Sequence, residues 1–295
     1  MYLPKVTIIL LLSLSYEISG ILNWELANCS ISLSATSYCG VTSIPRHKFT
    51  GNSAGFIVFS TIYNEKYDAE GYIGYRPVDK MIYVVFRGSY SIANWIADLD
   101  YFTTPYPGCA NCRVHLGFYN YEQSIIKDII KDVISLQKKF PEYGVISTGH
   151  SLGAACASLV AADLIMAGIK TTLINFGSPR FANKELSEYL STLIPSITRV
   201  THHRDLVPHI PPALQGFQHI SGEYYEDVDG SVRECSGYED PTCSDQFTLS
   251  TSLYDHYFYL GVTMSCDTEN NNITRKILEQ LKYDAQKLSL RGGHY

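Results

Sequence analysis

The sequence predicts an α/β fold, a single domain with a mostly parallel central sheet covered by helices on both faces. Three observations carry this. Strand-length apolar runs alternate with stretches of helical period through the middle of the chain, an alternation that builds parallel sheets sandwiched between helices. At 145–167 a β-branched run, a glycine-flanked serine and an Ala-rich helical segment follow one another without a gap. No repeat, low-complexity stretch or linker divides the chain, so one domain is expected over residues 21–266.

Composition narrows the function classes. The 295 residues are 45% hydrophobic and 18% charged, enough apolar side chain to offset the entropy of ordering. No run reaches the roughly 20 apolar residues of a membrane span, so no stable transmembrane anchor is expected. The formal net charge is −6 with both signs interspersed, which leaves no basic footprint for nucleic acid.

Taken in order, residues 1–20 place Lys5 before an apolar run from Val6 to Leu14 and then small and polar residues. That order is a secretory signal peptide, with a buried N-terminal strand as the alternative, and it implies export or the lumen of the secretory pathway. Two sequons, at Asn28 and Asn272, are candidate glycosylation sites on such a route. Residues 56–63 and 81–86 are β-branched and aromatic runs of strand length, and 71–75 between them completes an antiparallel start. In 91–101, Ile92, Trp95, Ile96 and Leu99 recur at i, i+3, i+4 and i+7, an amphipathic helix with Asn94, Asp98 and Asp100 on its other face. Residues 121–139 carry Ile125, Ile126, Ile129, Ile130, Val133, Ile134 and Leu136 at helical period, closed by Lys138 and Lys139 ahead of Pro141. Strand 145–148, helix 152–167 ended by Gly168, and strands 171–176 and 197–202 follow. The segment 267–295, with Ile277, Leu281, Ala285 and Leu288, reads as a C-terminal helical extension.

Eight cysteines in an exported chain suggest disulfides. Cys109 and Cys112, with His115 nearby, fit a redox motif or half a metal site. No further ligand stands at metal spacing and no thioredoxin-like pattern surrounds them, so a short-loop disulfide is the leading reading. Cys235 and Cys243 bracket a Ser-, Gly- and Asp-rich loop and form a plausible second bridge. Cys156, inside a buried helical segment, reads as a free apolar thiol.

Gly149-His150-Ser151-Leu152-Gly153 is a G-x-S-x-G motif between a strand and a helix. In that setting the serine sits on a strained turn, exposed above the sheet. The flanking glycines relieve the crowding there, and the Leu152 N–H at the helix start points at a developing oxyanion. A glycine-rich turn without chemistry is the alternative. A serine needs a general base held by an acid, in the order Ser, Asp or Glu, His for this arrangement. Asp205 follows the strand 197–202, and His256 is the last histidine before the C-terminal tail. Singly, the aspartate reads equally as a turn cap and the histidine as a structural residue among aromatics. The ordered set points to nucleophilic catalysis.

Val85-Phe86-Arg87-Gly88-Ser89, Asn94 to Leu99, Thr148 to Gly153, Arg204 to His209 and Asp255-His256 together resemble the class 3 (fungal-type) lipase family of the α/β-hydrolase superfamily, from about Ser34 to Cys266. The resemblance implies an α/β-hydrolase fold with Ser151 as nucleophile, His256 as base and Asp205 as orienting acid. It also implies Ser89 as second oxyanion donor beside Leu152, and a bridge from Cys39 to Cys266; family members also bridge the segment matching Cys235 and Cys243. Cys29 stays unassigned. Ala93 stands where relatives often carry a charged hinge residue, and the 267–295 tail extends past the usual end of the family. The resemblance further makes Ile92, Trp95, Ile96, Asp98 and Leu99 a lid over Ser151, against the plain surface helix that such a pattern more often marks. Asp98 is expected to accept a hydrogen bond from Ser89 on opening. The expectation is a secreted carboxylic ester hydrolase acting on acylglycerols at a lipid–water interface through an acyl-enzyme, with no metal or other cofactor. A phospholipase A1, galactolipase or feruloyl-type esterase on the same fold, or a non-catalytic lipid-binding protein, is the alternative.

Overall fold

The computed structural model describes residues 22–247 and 252–266. The expected signal peptide (1–20), the tail 267–295 and Asn272 lie outside the described residues.

After helix α1 (Trp24–Thr36) the chain forms an antiparallel meander, β1 (Ile57–Asn64), β2 (Ala69–Arg76) and β3 (Met81–Phe86). Helix α2 (Ile92–Asp98), the short strands β4 (Thr103–Pro105) and β5 (Arg113–His115), and helices α3 (Leu116–Gln123) and α4 (Ile126–Lys139) lead to β6 (Gly144–His150). Helix α5 (Leu152–Met166), β7 (Thr171–Phe176), β8 (Ala182–Asn183), α6 (Lys184–Leu193) and β9 (Ile197–His202) follow. The described chain closes with β10 (Phe217–Gln218), β11 (Glu223–Glu226), β12 (Val232–Glu234), α7 (Leu253–His256), β13 (Phe258–Tyr259) and β14 (Val262–Thr263).

The central sheet has eight strands in the order β1-β2-β3-β6-β7-β9-β11-β12. Pairing is parallel from β3 through β11 and antiparallel at both edges. The inner strands β2 through β11 bury both faces, as the near-continuous apolar runs predict, whereas the edge strands β1 and β12 are largely exposed. In β3, Ile82, Val84 and Phe86 face the core that includes Ile129 and Val133 of α4 and Val160 of α5. Tyr83 and Val85 face the opposite core, with Ile31 and Leu33 of α1. Alanines of α5 let that helix lie close on β6 and β7. Among the described residues no helix is long and apolar enough to cross a membrane.

The single helix expected over 121–139 is two. It breaks at Ser124–Ile125, where the Ser124 hydroxyl donates to the Tyr121 carbonyl at 2.7 Å, competing with the helical ladder. The break buries both Ile125 and Ile126, neighbours that a continuous helix would turn about 100° apart. The cysteines pair as Cys39–Cys266, Cys109–Cys112 and Cys235–Cys243, with Cα separations of 4.4, 5.5 and 6.2 Å. Cys29 and Cys156 are buried free thiols. Asn28 lies within α1, half-buried, with Ser30 of its sequon fully buried.

Candidate active site

Ser151 joins β6 to α5 with φ 61° and ψ −131°, a backbone conformation a non-glycine residue adopts only where its surroundings hold it. Its N–H donates to the Phe176 carbonyl at 3.0 Å, which ties the turn to the end of β7. A Cβ at Gly149 would collide with the Gly153 backbone, and one at Gly153 with the carbonyls of Phe86 and Arg87. Both glycines are therefore required for α5 to start this close to β3.

Asp205 lies just past β9, and its carboxylate is fully engaged. Oδ1 accepts from the Val207 N–H at 2.8 Å. Oδ2 accepts from His256 Nδ1 at 2.8 Å and from the Tyr259 hydroxyl. His256 ends the four-residue helix α7, whose start the Ser252 hydroxyl caps by accepting from Asp255 N–H at 3.0 Å. Asp255 anchors this segment to the end of β9. Its side chain accepts from Arg204 N–H and His203 Nδ1, both at 3.1 Å, and its carbonyl accepts from His202 Nδ1 at 3.0 Å. Leu260 N–H donates to Glu226 at 2.8 Å and adds a second tie, to β11.

Because His256 Nδ1 faces a carboxylate, it carries the proton and Nε2 is bare. His256 Nε2 and Ser151 Oγ are both buried, and neither has a hydrogen-bond partner among the described residues. Gly177, at φ 57°, leaves room for this group: a Cβ there would lie 3.1 Å from both Asp205 Oδ2 and His256 Cε1. A base pre-oriented by an acid and a buried serine hydroxyl without a hydrogen-bond partner are the two parts that serine activation needs.

Leu152 opens α5, so its N–H belongs to the turn without intrahelical acceptors. Ser89, half-buried, follows Gly88 at the end of β3. A Cβ on Gly88 would strike the Tyr38 hydroxyl and lie 2.9 Å from Ser151 Cβ, so the Ser89 segment passes directly over the serine turn. Arg87 holds that segment. Buried, it pairs with Asp68 at 2.7 Å and Glu70 at 3.0 Å, and its Nε donates to the Gly88 carbonyl at 3.0 Å.

Helix α2 has seven residues, with Leu99 at its C-cap. Ile92 is fully buried and Trp95, Ile96 and Leu99 are half-buried, while Ala93, Asn94, Ala97 and Asp98 face outward. A groove of about 200 Å³ between α2 and α3 is lined by Trp95, Asp98, Leu99, Phe118 and Leu152, among others. His115 Nε2–H donates to the Asp100 carbonyl at 2.7 Å, and its Nδ1 accepts from Gly117 N–H at 3.1 Å. His115 thus anchors the segment just beyond α2 and caps α3. Asp98 and Ser89 share no hydrogen bond among the described residues.

The family model for lipase (class 3) matches residues 83–215. A lipase of Rhizomucor miehei is 36% identical over 244 residues, which is 78% of this chain and 67% of that relative. The chain belongs to the class 3 lipase family. A secreted mono- and diacylglycerol lipase A of Penicillium cyclopium is 37% identical over 159 residues, 54% of this chain and 52% of the relative. Among solved structures, a triacylglycerol lipase whose catalytic centre is described as a serine protease triad aligns with TM-score 0.76 at 33% identity. The alignment covers 82% of this chain and 95% of that one.

Within this class 3 lipase fold, Ser151 follows β6 and Asp205 follows β9 at the same end of the parallel strands, and Asp205 holds His256. Among the described residues no side chain of the other late histidines hydrogen-bonds the Asp205 carboxylate: those of His202 and His203 serve Asp255, and His219 Nε2 donates to the Pro208 carbonyl at 2.7 Å. Tyr259, Asp255, Arg87, His150 and Tyr38 belong to the site without having been named as candidates from the sequence. Arg87, His150 and Asp255 did lie inside the motifs that carry the resemblance, and Tyr259 carried no signal.

Proposed function

We propose that this protein is a secreted lipase that hydrolyses acylglycerol esters through an acyl-enzyme. One observation carries the reading: His256 Nδ1 lies 2.8 Å from Asp205, while His256 Nε2 and Ser151 Oγ are both buried and unpartnered. The lipases and the mono- and diacylglycerol lipase among its relatives support the choice of substrate class.

Ser151 Oγ attacks the ester carbonyl carbon as His256 Nε2 takes its proton. The oxyanion forms opposite the Leu152 N–H, with Ser89 as second donor. The tetrahedral intermediate collapses, His256 returns the proton to the leaving alcohol, and the acyl group stays on Ser151. Water, deprotonated by His256, repeats the sequence and releases the fatty acid. Asp205 fixes the ring tautomer and steadies the imidazolium. Each step uses only this chain's own groups. Helix α2 serves as a lid: its inward stripe of Ile92, Trp95, Ile96 and Leu99 closes the groove in water and turns to lipid at an interface.

The test is covalent labelling by a long-chain organophosphonate, located by peptide mass spectrometry, together with hydrolysis of a panel of tri-, di- and monoacylglycerols, phospholipids, galactolipids and feruloyl esters. Labelling at Ser151 with acylglycerol turnover is expected. Ser151→Ala should lose about 10⁴ or more in kcat. Labelling without turnover of any ester would leave a lipid-binding protein, and faster phospholipid or galactolipid cleavage would reassign the substrate.

A further inference from the structure

His150 stands beside the nucleophile in sequence, and the mechanism above gives its imidazole no task. The ring is fully buried, yet both of its nitrogens are engaged. Nε2 lies 2.8 Å from the carbonyl oxygen of His256, and Nδ1 lies 2.7 Å from the Tyr38 hydroxyl. A carbonyl only accepts, so Nε2 carries the proton and Nδ1 accepts from Tyr38 O–H. The tautomer is therefore set from both ends, by partners 112 and 106 residues away in sequence. Burial, reinforced by the neighbouring His256, holds the His150 ring well below its ordinary pKa and so neutral; burial likewise keeps the Tyr38 hydroxyl protonated.

Three parts of the site converge on this pair. The His150 ring packs on the His256 ring with centroids 4.4 Å apart and planes at 35°. The Tyr38 hydroxyl fills the space over Gly88, next to the Ser89 segment. Cys39, the neighbour of Tyr38, is bridged to Cys266, ten residues past His256. His256 sits at the end of a single helical turn, and Asp205 fixes only one edge of its ring. The direction of the bare Nε2 also depends on the peptide that carries it, and His150 holds that peptide by its carbonyl.

We propose that Tyr38 and His150 are positioning residues for ester hydrolysis. Their chain, Tyr38 O–H to His150 Nδ1 and His150 Nε2–H to the His256 carbonyl, locks the backbone of the general base to the turn that carries the nucleophile. The inference rests on the assignment of Ser151 and His256 given above. It predicts that breaking the chain slows the chemical step and leaves substrate binding alone, since neither side chain touches the ester.

The experiment measures kcat and KM on a soluble p-nitrophenyl ester for Tyr38→Phe, His150→Leu and His150→Gln. Active sites are counted by end-point organophosphonate incorporation, and the thermal midpoint of each variant is recorded. His150→Leu is expected to lower kcat per counted site about 100-fold at nearly constant KM, the scale of a small misplacement of a reacting group. Tyr38→Phe removes one link of the chain and should cost about tenfold. The amide of His150→Gln offers one acceptor and one donor, so it should recover about tenfold over His150→Leu. A purely structural role predicts lower thermal midpoints and fewer countable sites with kcat per site unchanged, and that result overturns the proposal. So does a Gln variant no better than Leu. Ser151→Ala separates the two levels: if it stays active, the underlying assignment fails, whereas an inactive Ser151→Ala beside a His150→Leu of normal kcat removes the positioning role alone.

Discussion

At Asp205 one carboxylate takes three hydrogen bonds, from His256, Tyr259 and the Val207 backbone, and the same economy governs the oxyanion side. In the proposed mechanism Leu152 offers a backbone N–H that only proline would remove, whereas Ser89 offers a side chain on a segment held by Arg87. Ser89→Ala should therefore lower kcat by about 10² to 10³ with KM little changed, the usual cost of one oxyanion donor. Steady-state kinetics on a soluble ester decide it, and an unchanged kcat would place the second donor elsewhere. Ser151, Asp205 and His256 were legible as candidates in the sequence because chain order and the strand–turn–helix setting constrain them together. Tyr259, Tyr38 and His150 were not. The chain has 23 tyrosines, and a tyrosine that donates to a catalytic carboxylate has the same neighbours in sequence as one that fills a core.

Among the elements, α2 shows how far periodicity reaches. The stripe at i, i+3, i+4 and i+7 did identify the buried side, with Ile92 fully covered and Asp98 outside. The two-helix break at Ser124 was illegible, since Ile125 and Ile126 fit an unbroken helical pattern and the break is set by packing. The lid reading gives α2 a measurable consequence. Opening exposes apolar area at about 25 cal/mol per Å², so several hundred Å² cost several kcal/mol and the closed form dominates in water. A lipid surface takes up that area and shifts the population. Rate measured against ester concentration through the solubility limit should jump for wild type once droplets form. Trp95→Ser, which removes the largest side chain of the stripe, should jump less. A smooth hyperbola for wild type would leave α2 a plain surface helix and move the favoured substrate to soluble esters.

At the scale of the whole molecule, a bridge ties the N-terminal part of the described fold to its C-terminal part. The central sheet was legible as parallel and doubly covered, and its edge order was not, because β11 and β12 are short and β11 joins β9 only across the intervening segment 203–222. The bridge from Cys39 to Cys266 spans 227 residues, and in the loop-entropy account a closure of that size contributes about 5 kcal/mol. Against this stands a carboxyl pair between α3 and α5, Glu122 buried and Asp163 half-buried. Glu122 is 1% exposed, and burial, then the nearby Asp163, push its pKa up to about 9. Gln123 donates to Glu122 at 2.8 Å and Tyr106 to Asp163 at 3.2 Å. The native state thus keeps a proton on Glu122 through neutral pH, whereas the unfolded chain releases it near 4.3. Between those values the native state binds more protons than the unfolded one, so stability falls as pH rises. The contribution is complete below the unfolded pKa and is lost as pH climbs towards the folded one. Glu122→Gln, neutral throughout, escapes that loss. Its thermal midpoint should match wild type near pH 4.5 and exceed it at pH 8 by several degrees, a difference on the order of a few kcal/mol. Scans at half-unit pH steps measure it, and a midpoint difference that stays constant from pH 4.5 to 8 would mean that Glu122 is ionised in the folded protein.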